Sequence, residues 1–352
     1  MLSQQEINRY NRHLILPEIG IEGQHKLKQA KVLVIGAGGL GCPVLQYLTA
    51  AGVGTIGIVD FDVIDESNLQ RQILYSIEDI GKYKATVAQQ KLSQQNQLIT
   101  IKAYLLQLTS NNVLDLFKQY DIIVDGSDNF ATRYLVNDAC VISNKPFVSA
   151  SIFKFEGQLS VFNYNNGPTY RCLYPEPPLK DEVQNCSETG VIGVLPGIFG
   201  TLQANEVIKI ICRIGEVLSG KLMVFNTLSM QFSFFNIQVN DENKKIKTLG
   251  NYDFVCQIEI KEILANDFKE KIKRKEKFQL IDVREESEYL NKNIGGELIP
   301  LNSLSQHLNK IETEKLVIVH CQSGIRSKKA VKILMENGFK NVVSLKNGLL
   351  DF

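Results

Sequence analysis

The chain has 352 residues, a length typical of two or three domains rather than one. Hydrophobic residues make up 44% and charged residues 22%, which is the composition of a globular protein and not of a disordered or fibrous one. The 39 lysines and arginines nearly balance the 38 aspartates and glutamates, so the net charge is +1. This balance argues against a nucleic-acid partner or an acidic membrane surface, both of which favour a broad basic face.

The cysteines and the apolar stretches bear on the compartment. Seven cysteines without tight spacing are not a disulfide framework. The N-terminal residues lack the apolar core of a secretory signal. An uncharged stretch over residues 32–59 is long enough to cross a bilayer, but it is interrupted by glycines and by Pro43. We therefore expect a cytoplasmic protein.

Alternating apolar strands and helices follow in the first two thirds of the chain. The branched residues of KVLVI predict a buried parallel strand at 31–35, followed by a glycine turn, a helix that ends at Gly52 and a strand ending at Asp60. The pattern then predicts helices at 83–95, 129–143 and 197–212, strands at 99–105, 121–125 and 146–151, and antiparallel strands at 157–164, 221–226 and 231–237.

Composition changes after this region. Residues 239–253 are polar and charged without an apolar period, which is typical of a linker. Strand and helix patterns then resume to the end of the chain. We therefore predict the α/β class. We predict a Rossmann-like mixed sheet over 1–238, a linker over 239–256 and a small α/β domain over 257–352.

The glycine turn is the first sign of chemistry. Gly36, Gly38, Gly39 and Gly41 fit G-x-G-x-x-G between a strand and a helix, where glycines let the backbone approach a phosphate. Asp60, at the end of the second strand, can hold ribose hydroxyls. This motif alone fits an NAD-dependent oxidoreductase as well as an ATP-binding enzyme.

Cations and carboxylates cluster after the turn and favour ATP. The candidate binding residues are Asp62, Asn68, Arg71, Gln72, Lys84, Asp128 and Asn129. A carboxylate that approaches a phosphate is repelled by about 4 kcal/mol for a pair about 4 Å apart in a dielectric of about 20. Arginine, lysine and Mg²⁺ cancel this repulsion and stabilise the transition state. The set therefore predicts a triphosphate site with Mg²⁺.

Several long motifs in order carry a family resemblance. RYNRHLILPEIG, the glycine turn, DFDVIDESNLQRQ, GKYK and DGSDN make residues 5–237 similar to the MoeB/ThiF family, which is related to ubiquitin-activating enzymes. The resemblance implies that ATP adenylates the C-terminal glycine of a ubiquitin-like sulfur carrier (MoaD- or ThiS-like, ending in Gly-Gly), for molybdopterin or thiamine biosynthesis. The pathway stays open.

The resemblance also implies individual roles. The glycine turn covers the phosphates and Asp60 takes the ribose; Asn68, Arg71 and Lys84 contact phosphates, and Asp128 positions Mg²⁺. Arg12 resembles an arginine that reaches into the partner subunit's site, which implies a homodimer. A surface arginine on an N-terminal helix is the alternative reading.

Three cysteines need separate treatment. Family members usually carry two C-x-x-C pairs that bind zinc, but here only the second cysteine of each pair remains, Cys172 and Cys256. Thr169 stands where the first pair would have its leading cysteine. Because Thr is not a zinc ligand, we predict that zinc is absent. Cys186 lies in a polar loop, where the resemblance implies a cysteine that links covalently to the carrier or its sulfur; a half-buried structural cysteine is the alternative.

Cys321 is the candidate residue with the most specific surrounding motif. It follows a predicted strand and opens C-x-x-G-x-R-S before a helix, so loop N–H groups and the helix N-terminus can stabilise a thiolate or persulfide. Gly324 permits the tight loop, and Arg326 can support the loop or the anion. Residues 257–352 resemble a rhodanese domain, which implies sulfur transfer through a persulfide on Cys321, loaded by a donor such as a cysteine desulfurase.

The two halves together predict an adenylyltransferase and sulfurtransferase. Two other enzymes stay open: an NAD-dependent oxidoreductase, and a relative resembling tRNA threonylcarbamoyladenosine dehydratase. The near-neutral charge and the rhodanese resemblance count against the tRNA enzyme. A non-catalytic scaffold would have lost Arg71, Lys84 or Asp128, and all three remain.

Overall fold

A computed structural model describes residues 1–177, 190–250, 252, 260–313, 315–339 and 341–351. The chain divides into two compact units, Met1–Cys256 and Gln257–Phe352.

The first unit is built on an eight-stranded sheet in the order β3-β2-β1-β4-β5-β6-β7-β8. The first five strands in the chain are parallel to their neighbours, and β6 to β8 continue the sheet in antiparallel fashion. The sheet confirms the predicted mixed, Rossmann-like class. The strands are β1 (Lys31–Ile35), β2 (Thr55–Val59), β3 (Thr100–Tyr104), β4 (Ile122–Asp125), β5 (Phe147–Phe153), β6 (Glu156–Phe162), β7 (Lys221–Asn226) and β8 (Gln231–Asn236).

Helices cover both faces of this sheet. An apolar cluster forms on each face, one including Val34, Leu45 and Phe199 and the other including Leu33 and Phe117, because alternate residues of β1 point to opposite faces. The helices are Gln4–Arg9, Asn11–Leu14, Gly20–Gln29, Gly41–Ala51, Lys84–Gln95, Val113–Phe117, Phe130–Ser143, Tyr170–Leu173 and Val194–Cys212, with 3-10 turns at Glu66–Asn68, Ile77–Asp79 and Asp241–Lys244.

The carboxyl ends of the central strands bring the candidate residues to one edge. β1 and β2 run parallel, with Ile35 paired to Val59, and β1 also pairs with β4, with Ile35 opposite Asp125. The glycine turn, the segment after Asp60 and the loop after Asp125 therefore all leave the sheet at the same edge. This is where α/β sheets bind ligands.

Described residues of the predicted linker pack on the first unit. Tyr252 is buried in the first unit's core, and its hydroxyl donates to Asp138 Oδ2 at 2.7 Å. Asn240 N–H contacts Cys172 Sγ at 3.4 Å. Tyr252 therefore anchors this polar stretch at one described position in the core of the first unit.

The second unit holds a parallel five-stranded sheet in the order β11-β10-β12-β13-β9. Its strands are β9 (Glu262–Ile263), β10 (Phe278–Asp282), β11 (Glu297–Leu298), β12 (Leu316–His320) and β13 (Val342–Leu345). Its helices are Ala265–Lys273, Glu286–Asn291 and Ile325–Glu336, with 3-10 turns at Leu301–Gln306, Leu308–Lys310 and Gly348–Asp351. Across the described parts of both units, no helix combines the length and the apolar character that crossing a bilayer requires.

Candidate active site

The glycine turn has a backbone that other residues could not adopt. Gly36 has a φ of +89°, and a Cβ on Gly41 would lie 2.0 Å from the carbonyl oxygen of Gly36. The helix Gly41–Ala51 starts directly after this contact. Glycine therefore lets the strand pass into the helix within a few residues.

Asp60 holds the turn in shape. Its Oδ2 accepts from the Ala37 N–H at 2.7 Å, and its Oδ1 accepts from the Asp62 N–H at 2.8 Å. Burial raises the pKa of the Asp60 carboxyl, while the nearby Lys84 cation and these two amides oppose the rise. Asp60 thus has a structural duty at the turn in addition to its predicted contact with ribose.

Arg71 and Gln72 lie against the turn. A Cβ on Gly39 would be 3.5 Å from Arg71 Cγ, and one on Gly38 would be 3.6 Å from Gln72 Nε2. Gln72 is buried, and its Oε1 makes no hydrogen bond within the described residues. A buried, unsatisfied amide oxygen beside a glycine cradle fits a site that a polar ligand completes.

Asn68 and Lys84 frame the same segment. The carbonyl of Asn68 accepts from the Arg71 and Gln72 amides, which turns both side chains toward the glycines. Lys84 begins the helix Lys84–Gln95, is buried, and contacts Asp62 Oδ2 through Nζ at 2.9 Å. The cation is therefore kept near the turn by a carboxylate partner.

Asp128 and Asn129 lie in the loop that meets the turn from β4. Gly126 of this loop packs on Gly36, since a Cβ on Gly36 would lie 2.8 Å from its carbonyl oxygen. Asp128 is exposed. The Asn129 side chain caps the helix Phe130–Ser143 by accepting from the Thr132 amide at 2.9 Å. Asn129 therefore stabilises the loop, which leaves the Asp128 carboxylate free to face a ligand.

Asp125 and Arg133 were not among the sequence candidates. Asp125 is completely buried at the end of β4, and Arg133 Nε lies 3.6 Å from its Oδ2. Burial raises the pKa of Asp125, while Arg133 opposes the rise. Arg133 also donates to the Ser127 carbonyl at 3.1 Å. The pair anchors the loop that carries Asp128. Sequence reasoning missed the pair, because an aspartate and an arginine in the spacing D-x-x-x-x-x-x-x-R across a helix start are too common to indicate a contact.

Arg12 stands apart from this cluster. It lies exposed on the short helix Asn11–Leu14. Within the described part of the chain it makes no ion pair. Its predicted role in a partner subunit's site stays a prediction.

A carboxylate network secures the segment between Arg71 and Lys84. Asp79 is buried and pairs with Lys91, whose Nζ also donates to the Leu74 carbonyl at 3.0 Å. Burial acts to raise the pKa of Asp79, but the bonds from Lys91 and Ser76 outweigh it and lower the pKa to about 2. The contribution to stability is therefore present above the unfolded pKa near 3.8 and lost as pH falls toward 2.

Asp79→Asn should lower the free energy of unfolding of the first unit by about 2 kcal/mol at pH 7. The difference from wild type should shrink by roughly half at pH 3. Urea unfolding at both pH values measures it. Asp115→Asn breaks the exposed pair with Lys118 and should change little. A pH-independent effect of Asp79→Asn would contradict the assignment.

Cys172 is surrounded by hydrogen-bond donors. Its Sγ accepts from the Thr169 amide at 3.3 Å and the Asn240 amide at 3.4 Å, and Asn243 Nδ2 lies at 3.8 Å. Burial acts to raise the pKa of this thiol, but the Thr169 and Asn240 bonds prevail and lower it. Cys186 and Cys256 lie outside the described residues. The absence of zinc stays a prediction, which metal analysis of the purified protein would test.

Cys321 lies in the second unit at the carboxyl end of β12, fully buried under its loop. The Ser327 amide donates to its Sγ at 3.4 Å. Gly324 has a φ of +85° and precedes the helix Ile325–Glu336. A Cβ on Gly348 would lie 2.1 Å from the Cys321 carbonyl oxygen, so the closing 3-10 turn packs directly on the loop. The loop thus places a sulfur at a helix N-terminus, as predicted.

Two arginines support this loop by different contacts. Arg326 forms a two-pronged pair with Glu288 at 2.6 and 2.7 Å, which lowers the pKa of Glu288 to about 2. Arg284 is buried, pairs with Asp282 at 2.7 Å and contacts Gln322 Oε1 at 3.4 Å. The structure therefore ties Arg326 to a neighbouring helix rather than to the sulfur, and makes both arginines supports of the loop.

Comparisons with known proteins agree with these two sites. The ThiF family matches residues 10–248, and a rhodanese-like domain matches residues 264–352. The chain belongs to the ThiF family. Its resemblance to that family and to rhodanese, read from the motifs, is confirmed.

Curated relatives match the chain over nearly its full length or over about two thirds of it. The chain is 43% identical to the probable adenylyltransferase/sulfurtransferase MoeZ of Mycobacterium tuberculosis, over 99% of this chain and 93% of that protein. It is 49% identical to the sulfur carrier protein adenylyltransferase of Thermus thermophilus, over 68% of this chain and 90% of that one. These relatives confirm the predicted enzyme class, adenylyltransferase and sulfurtransferase.

A solved structure supports the first unit's fold. The structure of E. coli MccB with AMPCPP and selenomethionine MccA has a TM-score of 0.58 and 28% identity, and the match covers 66% of this chain and 72% of that one.

Proposed function

We propose that this chain uses ATP to adenylate the C-terminal glycine of a ubiquitin-like sulfur carrier, MoaD- or ThiS-like, and then converts that glycine to a thiocarboxylate for molybdopterin or thiamine biosynthesis. The observation that carries the proposal is the packing of Arg71 and Gln72 on the glycine turn, with Lys84 paired to Asp62 beside Asp60, which binds the turn. The name of the Thermus thermophilus relative, a sulfur carrier protein adenylyltransferase, supports the choice of substrate.

Adenylation requires charge neutralisation. The carrier's carboxylate attacks the α-phosphorus of ATP and pyrophosphate leaves, so negative charge accumulates around the phosphates. Arg71 and Lys84 supply cations there, and the turn's amides supply donors. Mg²⁺, when bound, neutralises further charge. Asp128 would hold it, since Mg²⁺ is usually bound by one or two carboxylates together with phosphate oxygens.

Sulfur transfer then uses Cys321. A donor such as a cysteine desulfurase loads a persulfide on its Sγ, and the terminal sulfur attacks the activated acyl carbon while AMP leaves. The acyl group is then joined to Cys321 through a disulfide. A second thiol attacks Cys321 Sγ, which releases the thiocarboxylate and leaves a protein disulfide that an external thiol must reduce.

Cys186 is our candidate for that second thiol. Cys186→Ser should leave ATP–pyrophosphate exchange unchanged and lower the yield of thiocarboxylate in the presence of a sulfur donor. Normal sulfur transfer by the variant would remove Cys186 from the mechanism.

We further propose a cytoplasmic homodimer in which Arg12 completes the partner subunit's site. The exposure of Arg12, without an ion pair in the described part of the chain, supports this reading. Mixing Arg12→Ala with Arg71→Ala protein should restore exchange activity, because each mixed dimer has one intact site.

Adenylation itself is tested by carrier-dependent exchange of labelled pyrophosphate into ATP. We expect exchange with a carrier that ends in Gly-Gly and none with the same carrier lacking its last residue. Exchange that ignores the carrier's C-terminus would contradict the proposed substrate.

A further inference from the structure

Tyr75 lies between the glycine turn and the start of the helix Lys84–Gln95. It is not one of the predicted site residues. It follows the segment that carries Arg71 and Gln72 and is 7% exposed. Its hydroxyl lies 2.8 Å from the carbonyl oxygen of Ala37 and 3.3 Å from that of Lys84. Because a hydroxyl has one proton, the shorter contact to Ala37 is the bond it donates.

Side chains bind both backbone polar groups of Ala37. Its N–H donates to Asp60, and its carbonyl accepts from Tyr75, with Cys42 Sγ at 3.4 Å from the same oxygen. Ala37 is completely buried, so no solvent can replace a lost partner. The orientation of the amides that follow in the turn therefore depends on these contacts.

Tyr75 also lies beside the backbone of Lys84. Lys84 is the first residue of its helix, and its carbonyl lies beside the Tyr75 hydroxyl, while its side chain reaches Asp62. The ring is packed in the core cluster under this face of the sheet. Tyr75 thus holds the turn through the Ala37 carbonyl and lies beside the start of the helix that carries Lys84.

We propose that Tyr75 is a positioning residue for the adenylation reaction, whose hydroxyl holds the glycine turn in the conformation that receives the triphosphate. This inference rests on the proposed function. Tyr75 itself need not touch ATP. Its effect comes through geometry, and a displacement of about 1 Å in a reacting group can cost about 100-fold in rate.

Tyr75→Phe removes one oxygen and leaves the ring, so the core should stay packed. We expect the KM for ATP in the exchange reaction to rise about 10-fold, with the KM for the carrier unchanged, because the turn's amides lose their orientation. A merely structural defect would reduce the fraction of active enzyme and lower kcat, without moving the KM for ATP alone.

Tyr120→Phe is the matched control. Tyr120 is also buried, and its hydroxyl contacts that of Tyr104 at 2.9 Å in the core on the other face of the sheet. This variant should lose some stability in thermal unfolding and keep the wild-type KM for ATP. If Tyr75→Phe fails to fold, Tyr75→Met removes the same hydroxyl and should show the same rise.

The outcomes separate the inference from the function on which it rests. Wild-type exchange with an unchanged KM for ATP in both Tyr75 variants overturns the positioning role alone. An equal change in Tyr120→Phe also overturns it. Absence of carrier-dependent exchange in the wild-type protein contradicts the proposed function itself and removes the inference with it.

Discussion

Arg71→Ala should reduce kcat/KM for ATP–pyrophosphate exchange by about 100- to 1,000-fold, the usual effect of removing one group that stabilises transition-state charge. Arg71 packs its side-chain stem against Gly39, and its Nη1 contacts only the Ser67 carbonyl, at 3.1 Å, among the described hydrogen bonds. Within the described residues, no carboxylate pairs with its guanidinium. It is therefore free to meet a phosphate.

Stability should be nearly unchanged in Arg71→Ala, because the guanidinium is only partly buried. Arg71→Lys should retain part of the activity, since a cation remains without the planar donor pair. Arg274→Ala removes a surface arginine paired with Glu270 in the second unit and serves as control. Exchange at wild-type rate in Arg71→Ala would show that the cation at the turn has no part in catalysis.

Cys321→Ser should abolish persulfide formation and lower thiocarboxylate yield by at least about 1,000-fold, as expected when a nucleophile is removed. Exchange activity should be retained, because Cys321 belongs to the second unit and adenylation is assigned to the first. Intact mass after incubation with a sulfur donor measures the persulfide as a gain of one sulfur atom.

Cys212→Ala is the control for this experiment. Cys212 is buried at the end of the helix Val194–Cys212 in the first unit. It should accept no sulfur in wild type and change neither activity when replaced. Full sulfur transfer by Cys321→Ser would disprove the persulfide route.

The sequence predicted the sheet well, because strands and turns are encoded by residues that are close together in the chain. Branched apolar runs marked β1, β2 and β4, and glycine at 36 and 41 marked the turn, since only glycine tolerates the φ at the first and the contact at the second. The antiparallel pairing of β6, β7 and β8 was also readable from alternation.

Pairings between distant side chains could not be read in the same way. The bond between Tyr75 and the Ala37 carbonyl joins residues 38 positions apart, and Arg326 finds Glu288 across a separation of the same size. No periodicity encodes such contacts. The motif left open whether Arg326 supports the loop or the anion, and the structure directs its guanidinium to Glu288, a bidentate carboxylate partner.

Tyr252 illustrates a related limit. Within a polar stretch, one tyrosine predicts nothing, yet Tyr252 is buried beside Asp138 at a position that composition alone assigns to a linker. A single aromatic side chain can bury enough apolar area to anchor a polar segment.

The most direct test is one incubation of the purified chain with ATP, Mg²⁺, a sulfur donor and each candidate carrier, followed by intact mass of the carrier. The proposal predicts that one carrier exchanges an oxygen for a sulfur, only when ATP is present and only with Cys321 intact. Carriers of unchanged mass under all conditions, in a preparation that loads persulfide normally, would contradict it.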